Sequence, residues 1–265
     1  MLRPDGPEPA APASPADALR VRQALAAAAA IGPFFALGAD PTGLGWRPAA
    51  SRYQPGSDPF PAGGGGQLAE AEPRVAASIG QLDFAARLWS PVLGCGLLDS
   101  VVPDLAGLQI RENGSREPAR LALAKPSGWL AADPRQLAEL SYRTVVVAHL
   151  EPLARGLSGR LADGLLWGNA ASAMAGALGV LTAARPDLRE QAAEVASALL
   201  DTGLLRGTGE LRDTGELRDT GELDVSGAGL GFRRRSCCLF YRLPGGRLCA
   251  DCCLPRPPGR RPGAG

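Results

Sequence analysis

Lysine is almost missing from this chain of 265 residues: Lys125 stands alone, and arginine supplies nearly all of the positive charge. The skew reads as the coding bias of a GC-rich genome, so alanine runs such as residues 26–30 carry little functional weight. Histidine is as scarce, with His149 the single copy, and any histidine-based proton chemistry would rest on it. Net charge is close to absent as well, and a formal +1 argues against a protein devoted to nucleic acid. No Gly-x-Gly-x-x-Gly follows a strand pattern and no Walker-type Gly-Lys-Ser/Thr occurs. A bound nicotinamide or flavin is therefore not expected.

Targeting signals are weak. Arg20 and Arg22 precede an apolar stretch from Leu25 to Leu37 that has the look of a signal peptide, but the arm before it is long, proline-rich and carries Asp5, Glu8 and Asp17. Residues 164–184 run without a charge and have the length of a membrane span. Their content is mostly Ala and Gly with Asn169, Ser172 and Thr182 included, which reads as a buried helix of a core rather than a lipid-facing one. The expectation is a cytoplasmic protein with at most peripheral membrane association.

The fold class expected is α+β: a mainly helical body with a small antiparallel sheet and a short C-terminal cysteine hairpin. Residues 1–15 read as a disordered arm of Pro and Ala. A mainly helical domain is expected over 16–206, opening with a helix capped by Asp17. Gly63 to Gly66 mark a joint. Helical spacing from Leu68 to Trp89 is expected to end at Ser90-Pro91, with a new helix over 92–101. Leu105 to Ile110 and Leu121 to Leu123, joined across Asn113-Gly114, form the one convincing strand pair. Asp133-Pro134 then opens a helix through Leu150, followed by helices over 152–161, 165–184 and 186–200. Residues 207–224 hold three copies of a six-residue repeat; their acidic residues Asp213, Glu216, Asp219 and Glu222 lack the spacing of an EF-hand loop, and 207–230 reads as an expanded linker. A cysteine module over 231–254 and a disordered tail over 255–265 complete the chain.

Five of the six cysteines crowd between Cys237 and Cys253, too close together to staple a fold and better suited to a metal site in a reducing compartment. The pattern is Cys237-Cys238, ten residues, then Cys249-x-x-Cys252. Leu239 to Leu243 is apolar enough for a strand and Pro244-Gly245-Gly246 is a reversing turn, so a hairpin would bring the two pairs together. Zinc and iron–sulfur clusters both accept four thiolates. The adjacent pair favours a cluster with two metal centres, zinc and disulfides being the alternatives. From Phe232 to the end there are eight arginines and one aspartate, a local charge of +7. Arg233, Arg234, Arg235, Arg242 and Arg247 are placed to raise a cluster's potential or to contact a substrate or donor, or simply to form a solvated basic surface. Cys253 reads as a spare thiol, a ligand swap with Cys252 being the alternative, and Cys95 reads as a small buried hydrophobe.

The string from Phe232 to Gly246, Phe-Arg-Arg-Arg-Ser-Cys-Cys-Leu-Phe-Tyr-Arg-Leu-Pro-Gly-Gly, followed by Cys-x-x-Cys, closely resembles the C-terminal signature of FhuF-like ferric siderophore reductases. Leu166 to Ser172, and more weakly His149 to Leu153, resemble that family's actinobacterial branch. The resemblance spans roughly 74–254. It implies a 2Fe-2S cluster on Cys237, Cys238, Cys249 and Cys252. It further implies a ferric siderophore, hydroxamate-type above all, as substrate and an external donor such as a ferredoxin or flavin reductase. His149, Trp167 and Asn169 are candidate pocket residues, although a satisfied core histidine, a buried tryptophan and a helix-capping asparagine explain them as well. The competing functions are a zinc-stabilised interaction module and a siderophore-binding or biosynthetic protein.

Overall fold

The computed structural model describes residues 12–54, 70–112, 119–205, 221–224 and 230–256. Their architecture is α+β, mainly helical with small sheets, as expected. Strand β1 (Ser14–Ala16) lies at the edge of the region read as an arm, whose residues 1–11 fall outside the described ones. Helix α1 (Ala18–Ala29) starts where the cap places it, because Asp17 accepts a hydrogen bond from the Arg20 amide at 2.8 Å. It buries Val21, Ala24, Leu25 and Ala28, the one-sided spacing of an amphipathic helix.

Helix α2 (Pro73–Asp99) corrects the expectation of two helices meeting at Ser90-Pro91. Its 27 residues run unbroken for about 40 Å with Pro91 inside. An interior proline loses one backbone bond and costs about 3 kcal/mol. Here every residue from Leu88 to Leu97 is buried, so tertiary packing outweighs that local loss. Gly94 allows the close approach: a Cβ there would lie 2.9 Å from the Phe35 ring and 3.0 Å from Ala28. The helix ends at Ser100, whose left-handed backbone (φ 57) donates its N–H to Cys95 and Gly96.

Two sheets follow. Strands β5 (Leu108–Arg111) and β6 (Arg120–Leu123) pair antiparallel with Ile110 opposite Leu121, as the alternation indicates. The Asn113-Gly114 turn and the Gly63–Gly66 joint lie outside the described residues. The sheet is larger than expected: β2 (Gly38–Ala39) joins parallel to β6, and β3 (Arg47–Pro48) antiparallel to β5, in the order β2-β6-β5-β3. A second sheet sets β7 (Gly128–Leu130) between β1 and β4 (Val101–Pro103).

Asp133 caps helix α3 (Pro134–Ser141) by accepting from the Gln136 amide at 2.8 Å. The helix continues as π-helical turns (Tyr142–Leu150) into α4 (Glu151–Gly156), which is shorter than the expected 152–161. Helix α5 (Asp163–Ala184) lies along α2 in the core. It is long and apolar enough by length and composition to cross a membrane, yet 67% of its most apolar stretch is buried inside the fold. Helix α6 (Arg189–Leu200) closes the body against α3.

The last repeat copy is not all linker. Strand β8 (Gly221–Asp224) pairs antiparallel with β9 (Gly231–Arg234), Leu223 facing Phe232, and both of these side chains pack on the core. Residues 206–220 of the repeat region lie outside the described ones. The ribbon packs on α5 and so seats the chain that follows on the helical body.

Gly128 is the tightest backbone approach in the second sheet, since a Cβ there would collide with the Val102 carbonyl oxygen. Gly128→Ala is expected to lower stability by about 1–3 kcal/mol through overpacking, measured as a reduced midpoint in chemical denaturation.

Candidate functional site

Strand β9 ends at Arg234 and delivers the chain directly into Ser236, Cys237 and Cys238. The segment after Cys238 is not the β-hairpin that its composition suggested. Leu239 takes a left-handed backbone (φ 66), turning the chain at once into a short 3-10 helix (Phe240–Arg242). Gly245 (φ 68) then reverses it, and Gly246 donates to the Leu243 carbonyl at 2.8 Å. A Cβ on Gly246 would collide with the Phe240 carbonyl oxygen, so the loop closes only around glycine. Beyond Cys249, the Asp251 carbonyl accepts from the Arg234 amide at 3.0 Å and ties the returning strand of the loop to β9.

This loop brings Cys238 and Cys249 together, their sulfurs 3.5 Å apart. Cys238 is 1% exposed; Cys237, Cys249, Cys252 and Cys253 are half-buried, and none is in a disulfide. Cys237 and Cys252 each accept a backbone N–H from two residues ahead, Leu239 and Leu254, at 3.4 Å. The thiols are paired rather than gathered at one point: among the described residues no three His, Cys, Asp or Glu side chains are placed to hold a single metal ion. Of the four thiolates expected to converge, Cys238 and Cys249 are in direct contact.

Within the pair, Cys238 is the thiol that ionises more readily. Its shared hydrogen bond draws the Cys238 thiol down to about 6, against the opposing effect of burial and with help from the Phe240 amide and the Arg234 guanidinium. The same sharing pushes Cys249 far up. Burial raises Cys237, with the Leu239 amide and Arg234 opposing it, and burial raises Cys253 as well.

A polar bridge crosses from the loop into the helical body. Ser78 on α2 donates to the Cys238 carbonyl at 2.8 Å. Asn169 on α5, fully buried, donates to the Ser78 carbonyl at 2.9 Å and its hydroxyl at 3.2 Å, and accepts from Arg234 Nη2 at 2.5 Å. At the rim, Arg242 forks onto both Glu72 oxygens at 2.6 and 2.7 Å. The neighbour of Asn169 is Gly168, where a Cβ would collide with Ser236 Oγ and stand 3.3 Å from Arg234. Around the thiols several buried polar atoms have no partner: Arg234 Nε and Nη1, Ser236 Oγ and Asp251 Oδ2.

The other expected site residues separate. Arg233, Arg235, Arg242 and Arg247 are exposed, whereas Arg234 is 1% exposed. Trp167 is buried on α5. His149 lies in the core, Nδ1 2.7 Å from the Tyr53 hydroxyl and Nε2 2.8 Å from the Leu105 carbonyl. With a carbonyl as its partner Nε2 carries the proton, and Nδ1 accepts from Tyr53. His149 and Asn169 thus serve different junctions. Neither these two nor Trp167 lines the cavity of about 710 Å³ that opens between α1, α2 and the first sheet, beside Trp46, Arg87, Arg111 and Arg120. Ser78 is not among the residues that the sequence singles out, and Gly168 falls inside the Leu166–Ser172 segment without a role of its own; their visible signals are a small polar residue on a buried helix face and a glycine inside the apolar run of α5.

A thiol pair 3.5 Å apart suits two ligands of one tetrahedral metal, since metal–sulfur bonds of about 2.3 Å place neighbouring sulfurs about 3.8 Å apart. The amides on Cys237 and Cys252 and the unpartnered Nε and Nη1 of Arg234 are donors of the kind that thiolate and sulfide accept. The donor set therefore fits an iron–sulfur cluster. Residues 234–254 match the family model of the FhuF 2Fe-2S C-terminal domain. No curated protein matches the chain. Residues 234–254 are thus FhuF-like, and their clustered cysteines suit an iron–sulfur site.

Two outcomes are expected. Gly168→Leu forces the module off α5, so the helical circular dichroism persists while the protein loses most of its visible chromophore. Burial holds the His149 pKa below the ordinary value of about 6.5. The folded state then resists a proton that the unfolded chain accepts, so this contribution is complete above about pH 6.5 and is lost as the pH falls through the lowered folded value. The melting temperature should drop between pH 7 and 5 more steeply in the wild type than in His149→Gln.

Proposed function

We propose that the protein is a ferric-siderophore reductase of the cytoplasm, with Cys237, Cys238, Cys249 and Cys252 holding a 2Fe-2S cluster. When bound, such a cluster supplies a one-electron donor and acceptor. The observation that carries the reading is the FhuF-type module with Cys238 and Cys249 in a close pair, seated on the helical body with Cys237, Cys249 and Cys252 half-buried. A two-iron centre takes its thiolates two by two, which this arrangement suits better than it suits a single zinc ion.

The chain's own residues do three things. The cysteines anchor the redox group at the surface, where a substrate whose iron is wrapped in its own ligands can come near. The exposed Arg233, Arg235 and Arg247 form a positive rim that attracts an anionic ferric siderophore or an acidic donor protein. The Ser78–Asn169–Arg234 bridge fixes the loop against α2 and α5, so the distance to an approaching partner is set by rigid elements. One electron converts the bound Fe(III) to Fe(II), which hard hydroxamate oxygens hold far more weakly, and no proton transfer by a side chain is needed. The electron comes from outside, from a ferredoxin or flavin reductase. Cys253 has no part in the ligand set.

Protein purified without oxygen should be red-brown, contain iron and sulfide in equal amounts, and give a one-cluster paramagnetic signal after dithionite. Cys238→Ser should be colourless and Cys253→Ser coloured. Reduced wild type should release Fe(II), trapped by a ferrous chelator, from a ferric hydroxamate siderophore, and Cys238→Ser should not. A colourless wild type that contains zinc would overturn the proposal.

A further inference from the structure

Arg234 is the least expected charge in the molecule. Its side chain is 1% exposed, and its one hydrogen bond goes to a neutral amide, Asn169 Oδ1. Among the described residues it has no ion-pair partner; the nearby Asp251 meets it through a backbone carbonyl, not a carboxylate. Nε and Nη1 are buried and unpartnered. A guanidinium taken out of water with two empty donors and no ion pair is unfavourable enough that folds rarely keep one unless a counterion is supplied. The guanidinium is tied into the cysteine loop: Asn169, which holds its Nη2, also holds Ser78, Ser78 donates to the Cys238 carbonyl, and the Arg234 amide donates to the Asp251 carbonyl.

The surroundings hold it in place. Asn169 spends both amide hydrogens on Ser78 and its oxygen on Arg234, so its own orientation is settled by α2. Ser78 in turn grips the Cys238 carbonyl. Gly168 leaves the space that the guanidinium and Ser236 fill. Guanidinium and thiols are thus positioned by one framework. The other arginines of the module are exposed, where water and salt screen them.

We propose that Arg234 is the built-in countercharge of the cysteine module, a positioning residue whose Nε–H and Nη1–H donate to sulfur and raise the reduction potential of the cluster held there. The proposal rests on the cluster reading above, but not on the identity of the substrate. A thiolate-ligated cluster is an anion that gains one more negative charge when a reductant gives it an electron, so a fixed buried cation favours the reduced form.

The test is a redox titration of the holoprotein, followed by its visible spectrum and paramagnetic signal, on wild type, Arg234→Gln, Arg234→Lys and the surface control Arg233→Gln. At the wild-type midpoint, Arg234→Gln should lower the ratio of reduced to oxidised protein at least tenfold, which is 59 mV for a one-electron couple. Arg234→Lys should recover at least half of that shift, and Arg233→Gln should stay within twofold of wild type. An Arg234→Gln potential within twofold of wild type, an equal shift in Arg233→Gln, or Arg234→Lys falling as far as Arg234→Gln overturns the countercharge. Should Arg234→Gln take up no cluster, Asn169→Ala decides. It keeps the charge and frees the clamp, and a threefold or greater fall in the ratio supports the proposal while an unchanged midpoint overturns it. A colourless wild type instead defeats the cluster reading itself, and a coloured wild type that leaves ferric siderophores unreduced defeats only the substrate.

Discussion

The contact on which the site depends is the one that Asn169 makes in the middle of an apolar helix pair. Helices α2 and α5 pack through Ala, Leu, Val and Gly, and Asn169 and Ser78 are both fully buried between them. A buried amide is tolerated only when its donors and acceptor are used. Asn169 meets that condition by reaching across to Ser78 and up to Arg234, and Ser78 meets it by reaching Cys238. Taking Asn169 away would strand the Arg234 guanidinium and leave Ser78 with the Cys238 carbonyl alone. The helical body and the cysteine loop are therefore joined by mutual hydrogen-bond need, in a place where apolar packing alone would allow the loop to slide.

This arrangement also explains how the loop keeps its shape without regular structure. Between Cys238 and Cys249 the chain uses left-handed Leu239, a single 3-10 turn and the glycines at 245 and 246, none of which pairs with another strand. Such a segment has little stability of its own. It is held from three sides: by β9 through Asp251, by α2 through Ser78, and at the rim by the Arg242–Glu72 fork. The fork is exposed and worth little alone. The buried contacts carry the placement.

Much of this was legible in the residues. Asp17 and Asp133 announced their helices, because a capping carboxylate acts through three residues of local sequence. The strand pair β5–β6 showed itself by alternation, and the cysteine spacing by counting. What stayed hidden was decided at long range. Pro91 reads locally as a helix start and is carried through because everything around it is buried. Strands such as β2 and β3 have two residues each and exist only as edges to β5 and β6, so no period marks them. The loop after Cys238 looked like a strand because Leu239, Phe240 and Tyr241 are apolar, but a left-handed turn depends on what the Cys238 carbonyl must reach. Among the arginines, composition shows a basic cluster and cannot say that one of them points inward.

That last distinction changes what the basic cluster does. Exposed arginines act over a screened distance of about 8 Å at physiological salt, and so they influence encounter with a charged partner. A buried one acts through low dielectric on whatever lies beside it, at any salt concentration. Strand β9 alternates between the two: Arg233 faces solvent and Arg234 faces α5, one residue and one pleat apart. A run of like charge on a strand is thereby divided between solvent and the buried face, with the pleat of the strand as the only device required.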